Sequence, residues 1–312
     1  MITKLRIGTR GSELALWQTN HIKTLLEHSF PEISISIEII KTTGDKILDT
    51  PLAKIGDKGL FTKELEHALL QRRIDLAVHS LKDVPTFIPS GLTLAAILER
   101  DDVHDVFIAH SKNGETHFAS LPLHAAVATG SLRRKSQLLG ARPDLNIIDL
   151  RGNLNTRMKK LDESQWNGMI LAKAGVTRLG WSSRISDILP FDLMLPAVGQ
   201  GALAVETRSD DDPVIGIIGT LQHKPTAYAV TAERALLREL EGGCQIPIGA
   251  LGTIIGETLR LDAVVGSLDG KKIIRASKTG TITGTERTGI ELAKELLKQG
   301  ARDILEEIRH SK

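Results

Sequence analysis

A single cysteine, Cys244, occurs among the 312 residues of the chain. One thiol excludes an intramolecular disulfide and a cysteine-rich zinc site, so packing alone must hold the fold, as in a reducing cytosol, and the same thiol is available for chemistry. No run of about 18 apolar residues is present, and the opening Met-Ile-Thr-Lys-Leu-Arg-Ile-Gly lacks the apolar core of a signal peptide. The expected setting is therefore cytoplasmic, with no membrane partner. Charge of one sign is also missing: 40 Lys and Arg stand against 38 Asp and Glu, a net charge of +2. That balance excludes a general cationic coat for nucleic acid but not a local basic patch. There is no glycosylation acceptor, Walker A motif or His-Glu-x-x-His, and the ten histidines lack metal-ligand spacing. Gly199-Gln-Gly201-Ala-Leu-Ala204 has the letters of a dinucleotide fingerprint, yet it precedes a strand-like run instead of joining a strand to a helix.

What is there is the composition of an ordinary folded protein, 41% hydrophobic and 25% charged. At roughly 150 residues per domain the length predicts two or three domains. Through the first 200 or so residues, short β-branched runs alternate with helical patterns, the mark of an α/β region on a largely parallel sheet. Strands are predicted over 4–8, 33–39, 74–78, 92–97, 106–109, 125–128, 146–150 and 169–172. Between them, helical spacing is read over 12–27, with Ser12 at the N-cap, and again around 61–69, 131–139 and 156–161. The charged run Glu99–Asp105 and the segment Leu195–Gly201 each separate two halves, which suggests a hinged pair of lobes. Beyond Asp210-Asp-Asp-Pro213 the pattern becomes a helix over 226–241, three strand-like runs with a hairpin turn at Leu268-Asp-Gly-Lys271, and a closing helix over 291–309. The expected domains are 1–100 with 200–218, 105–195, and 221–312, the last an α+β domain.

Polar residues gather where strands end: Thr9-Arg-Gly-Ser12, His79-Ser-Leu-Lys-Asp83, Thr129-Gly-Ser-Leu-Arg-Arg134 and Arg151-Gly-Asn153. Parallel sheets bind ligands at that edge, where the following helix N-termini offer free N–H groups, so an anionic ligand is expected. Arg10, Arg133, Arg134, Arg151 and Arg157 suit carboxylate or phosphate through their planar forks. The alternative for each is a solvated loop residue in a surface ion pair. Asp83, the lone acid in Ser80-Leu-Lys-Asp-Val-Pro85, can stabilise developing positive charge or move a proton, or else can be a turn residue. The loop 42–59, with Lys46, Lys54 and Lys58 among its glycines, reads equally as a mobile cationic lid or as a plain surface loop. Cys244, in Glu241-Gly-Gly-Cys-Gln-Ile-Pro247, is either a thiol projecting from a turn or a small buried hydrophobe.

These motifs, together with Gly59-Leu-Phe-Thr-Lys-Glu-Leu-Glu66, Leu195-Pro-Ala-Val-Gly-Gln-Gly-Ala202 and Leu240-Glu-Gly-Gly-Cys-Gln-Ile-Pro247, resemble the porphobilinogen deaminase (hydroxymethylbilane synthase) family over nearly the whole chain and in its order. The resemblance implies two periplasmic-binding-protein-like α/β lobes with a hinge and a third α+β domain carrying the cysteine. It implies a transferase of heme biosynthesis that joins four porphobilinogens head to tail, with loss of ammonia, into hydroxymethylbilane. It makes Cys244 the thioether anchor of a dipyrromethane cofactor, itself two substrate units. It assigns Lys82, Asp83, Ser131, Arg133 and Arg134 to the cofactor and Arg10, Ser12, Arg151, Arg157 and Gln200 to substrate or growing chain. Asp83 becomes the catalytic carboxylate, holding pyrrole N–H groups and supporting the cation formed on ammonia loss. Lys54 and Lys58 fall in the family's active-site loop. Leu81 and Thr62 depart from residues common in the family, neither at an ionic position. The implied protein is a monomer whose partner is the small-molecule substrate, with no metal and no nucleic acid. The competing reading is a non-catalytic anion-binding module, from which Asp83 and Cys244 distinguish an enzyme.

Overall fold

The computed structural model describes residues 2–46, 59–114, 116–240 and 246–310. Cys244 with its neighbours, and Lys54 and Lys58, lie outside the described residues. In chain order the strands are β1 Lys4–Thr9, β2 Ser34–Ile39, β3 Leu76–Ser80, β4 Leu92–Ile97, β5 Asp105–Ala109, β6 Ala126–Ala128, β7 Asn146–Ile148, β8 Gly168–Ala172, β9 Asp187–Ile188 and β10 Leu203–Arg208. Three longer strands follow: β11 Ile248–Ile255, β12 Thr258–Gly266 and β13 Ile273–Thr281. They form two five-stranded sheets, ordered β2-β1-β3-β10-β4 and β7-β6-β8-β5-β9, and a three-stranded antiparallel sheet β11-β12-β13. The expected fold class is therefore the observed one, two α/β lobes and a third α+β element.

The described residues divide into two compact units. One takes in Gly201–Ala227 and the described residues before Asp102; the other takes in Asp102–Gln200 and the described residues from Tyr228 on. The chain leaves the first sheet after β4, enters the second as β5, and returns as β10. Each crossing supplies the strand that runs antiparallel to its neighbours, β5 in the second sheet and β10 in the first. In the first unit Leu5, Ile7, Leu76, Val78 and Val205 pack against Ile22 and Leu26 of the helix Glu13–Ser29. Ser12 caps that helix, its hydroxyl accepting from Ala15 N. In the second unit, buried strands such as β5 and β8 are apolar on both faces, as a sheet covered on both sides requires.

Four differences from the sequence reading have physical causes. The strand expected over 74–78 lies at Leu76–Ser80: His79 is accommodated inside the strand because buried Glu206 of β10 receives its ring nitrogen at 3.0 Å. Asp105, read as the end of the charged separator Glu99–Asp105, begins β5 and is fully buried, because two arginines more than 25 residues further along neutralise it. Asp210-Asp-Asp-Pro213, read as a break, opens the helix Asp212–Gly219, since proline is tolerated in a first turn whose N–H has no partner anyway. The single closing helix is two, Thr285–Leu296 and Arg302–His310, broken where Gly300 takes φ +106°.

Candidate functional site

In the first unit β1 and β3 are parallel neighbours, so their carboxyl ends deliver Arg10, Ser12, Lys82 and Asp83 to one edge of the sheet. The Ser80 hydroxyl accepts a 2.8 Å bond from Gln18 of the first helix and fixes the end of β3. A single 3₁₀ turn, Leu81–Asp83, follows. Buried Leu81 and Val84 anchor the turn on either side, and Leu81 N donates to Ala202 O at 3.0 Å. Lys82 and Asp83 are thereby held half-buried at the surface. Among the described residues Asp83 has no hydrogen-bond or ion-pair partner.

Arg10 is engaged within its own unit. Its guanidinium donates to both oxygens of Asp45, at 3.1 and 2.5 Å, and lies 4.1 Å above the Phe61 ring. Burial would raise the Asp45 carboxyl, but the bonds from Arg10 and Thr42 outweigh it and hold the group below its ordinary value. The structure thus shows Arg10 bound to the base of the 42–59 loop.

In the second unit β6 and β7 are parallel neighbours and bring Ser131 and Arg151 to a common edge. The loops after these strands touch: a side chain at Gly130 would place its Cβ 2.4 Å from Leu150 O. Ser131 caps the helix Leu132–Ala141, accepting from Arg134 N. Arg151 is buried, which lowers its guanidinium pKa against the nearby Asp149. Arg157 Nε donates to Gly152 O at 2.8 Å, and Lys160 donates to Arg151 O at 3.3 Å.

Arg133 and Arg134 point into an ionic centre that the sequence reading missed. Asp105 accepts from Arg133 at 2.6 Å and from Arg134 at 2.7 and 3.1 Å, while Gln200 Nε2 donates to it at 3.0 Å. Desolvation would raise the Asp105 carboxyl, yet the two guanidiniums hold it far below the ordinary carboxylate range. Arg133 Nε is buried with no hydrogen-bond partner among the described residues. Two buried cations against one buried carboxylate form a centre that still favours an anion. Glu233 was missed as well: fully buried, it accepts from Gly199 N at 2.7 Å and from Gly252 N at 2.8 Å. Neither acid carries a local motif, because each is recognisable only by what folds around it. Among the described residues no group of three or more His, Cys, Asp or Glu is placed to hold a metal, and no helix is long and apolar enough to cross a membrane.

Residues 5–216 match the family model of the porphobilinogen deaminase dipyromethane cofactor binding domain, and residues 227–298 that of the porphobilinogen deaminase C-terminal domain. Porphobilinogen deaminase of Chlorobium phaeobacteroides is 56% identical over 316 residues, covering 100% of both chains. That of Chlorobaculum tepidum is 54% identical over 315 residues, again covering 100% of both. Among solved structures, the periplasmic aliphatic sulphonate binding protein SsuA from Escherichia coli is similar at 17% identity and a TM-score of 0.41, over 77% of this chain and 71% of that one.

Proposed function

The chain belongs to the porphobilinogen deaminase family, and on that premise we propose that it is the transferase that condenses four porphobilinogens head to tail, releasing ammonia and yielding hydroxymethylbilane. The observation that carries this reading is Asp83: a half-buried carboxylate beside Lys82, fixed by the buried Leu81 and Val84, with no partner among the described residues. A simple anion-binding module has no use for an acid there, since it would repel the ligand. An enzyme that expels ammonia has three uses for it. Asp83 accepts the pyrrole N–H and opposes the positive charge that develops as the amine departs, and it moves a proton at its carboxylate oxygen.

The donor set fits a dipyrromethane group, whose acetates and propionates need cationic and N–H partners. Ser131, Arg133 and Arg134, with Lys82 and Asp83, would hold it, and Arg133 has a buried donor to spare. When bound, the group supplies the primer to which substrate units are added. Cys244 is the proposed thioether anchor, and Lys54 and Lys58 the proposed active-site loop cations. Arg10, Ser12, Arg151, Arg157 and Gln200 are assigned to the carboxylates of substrate and growing chain. For Arg10 this role requires exchange of Asp45 for a ligand carboxylate, a like-for-like substitution in charge. The same reading makes the protein a cytoplasmic monomer with small-molecule partners.

Intact mass of the denatured protein tests the proposal. The expected result is an adduct of two linked pyrrole units that disappears in Cys244→Ser, together with conversion of porphobilinogen to a linear tetrapyrrole. Active protein without the adduct, or a fully active Cys244→Ser variant, would overturn the anchor.

A further inference from the structure

Asp105 has no place in the assignments above, and its surroundings give it one. Arg133 and Arg134 are consecutive in the helix Leu132–Ala141, so their side chains leave the axis about 100° apart and do not naturally meet. They meet at Asp105. One oxygen takes Arg133 Nη1 at 2.6 Å; the other takes Arg134 Nη2 at 2.7 Å and Nε at 3.1 Å. Backbone carbonyls hold each guanidinium as well: Leu195 O accepts from the same Arg133 Nη1 at 2.7 Å, leaving Arg133 Nε without a partner among the described residues, and Ile170 O accepts from Arg134 Nη1 at 3.0 Å.

The carboxylate is itself held from the other side. Gln200 Nε2 donates to Asp105 at 3.0 Å and to Val103 O at 2.8 Å. The residue before it, Gly199, donates its N–H to Glu233 at 2.7 Å, and Ala250 N donates to Pro196 O at 3.0 Å. The segment 195–200 is therefore stitched both to the arginine pair and to the three-stranded-sheet part of the same unit. A carboxylate needed only to balance charge would require neither a shared position between two forks nor an amide brace from a separate segment.

We infer that Asp105 is a positioning residue, which turns the guanidiniums of Arg133 and Arg134 to the orientation in which they receive the carboxylates of the dipyrromethane group. The inference rests on the assignment of those arginines under the proposed function. It is tested on the full-length apoprotein by adding porphobilinogen at increasing concentration and following, by intact mass, the rate at which the two-unit adduct forms. Asp105→Asn keeps the shape and one acceptor oxygen but frees the forks. Loss of a charge-assisted contact network predicts a rise of about tenfold in the half-saturating concentration, with the limiting rate within about threefold of the parent.

A purely structural Asp105 would reduce the amount of competent protein, and hence the limiting rate, without moving the half-saturating concentration; that result overturns the inference. A fall in the half-saturating concentration overturns it too, because charge would then outweigh placement. If Asp105→Asn does not fold, Asp105→Glu keeps the charge but moves the carboxylate by one methylene relative to the two forks, and a rise of about threefold is expected by the same reasoning; an unchanged value overturns the inference. Failure of the parent apoprotein to take up the adduct speaks against the proposed function instead.

Discussion

Glu233 accepts the backbone N–H of Gly199 at 2.7 Å, and its second oxygen accepts that of Gly252 at 2.8 Å. The helix Lys224–Glu239 that carries it runs so close to β11 that a Cβ at Gly252 would sit 2.8 Å from Ala229 O. Both donors are buried away from water and depend on this one carboxylate. Glu233→Ala orphans two N–H groups, each costing about 1–3 kcal/mol, so a loss of at least about 2 kcal/mol is expected in urea unfolding. Glu233→Gln keeps one acceptor and should lose about half as much. A change under about 0.5 kcal/mol in the alanine variant would show that neither bond stabilises the fold.

Asp83→Asn should retain the two-unit adduct and the parental unfolding temperature while kcat falls by about 10²–10⁴, the range of general acid–base assistance. Asparagine can still accept a pyrrole N–H but can neither carry the negative charge nor take the proton. Turnover within threefold of the parent would remove Asp83 from its proposed role.

Two glycines with opposite surroundings separate close packing from mere flexibility. Gly130→Ala drives a Cβ to 2.4 Å from Leu150 O, a backbone atom that cannot rotate aside. Separating these loops is expected to cost about 1–3 kcal/mol and to raise KM, since Ser131 and Arg151 move apart. Gly216→Ala, in the helix Asp212–Gly219 with nothing within 4 Å of the added atom, should be neutral or stabilise by up to about 1 kcal/mol. Paired thermal melts and substrate titrations check both, and equal effects would contradict the contact geometry.

The acid limb of stability should show Asp102. Burial opposes its ionisation, but Lys173 at 2.7 Å and His104 at 2.6 Å lower its pKa from 3.8 to about 2. A carboxyl depressed on folding contributes stability above its unfolded value, and that contribution is lost as pH falls through the folded value. The difference in urea midpoint between the parent and Asp102→Asn should therefore be constant above about pH 5 and shrink between about pH 4 and pH 2. The effect is modest because the pair is partly exposed to solvent. A difference that grows on acidification would reverse the assigned sign.

Composition, periodicity and strand-end motifs determined much of this protein by themselves. The α/β lobes follow from β-branched runs alternating with helical spacing, and Ser12 was readable as a cap because capping is a local contact three residues long. The cations after β1, β3, β6 and β7 were readable because a parallel sheet brings successive strand ends to one edge. Only the tertiary structure decided what those side chains bind. Arg10 is held by Asp45, 35 residues away, and Arg133 and Arg134 by Asp105, at separations of 28 and 29. In the sequence Asp105 is only the last charge of the run Glu99–Asp105, and Glu233 belongs to no motif. A charge is solvated or buried according to which distant groups desolvate and pair it, and no local spacing encodes that partner.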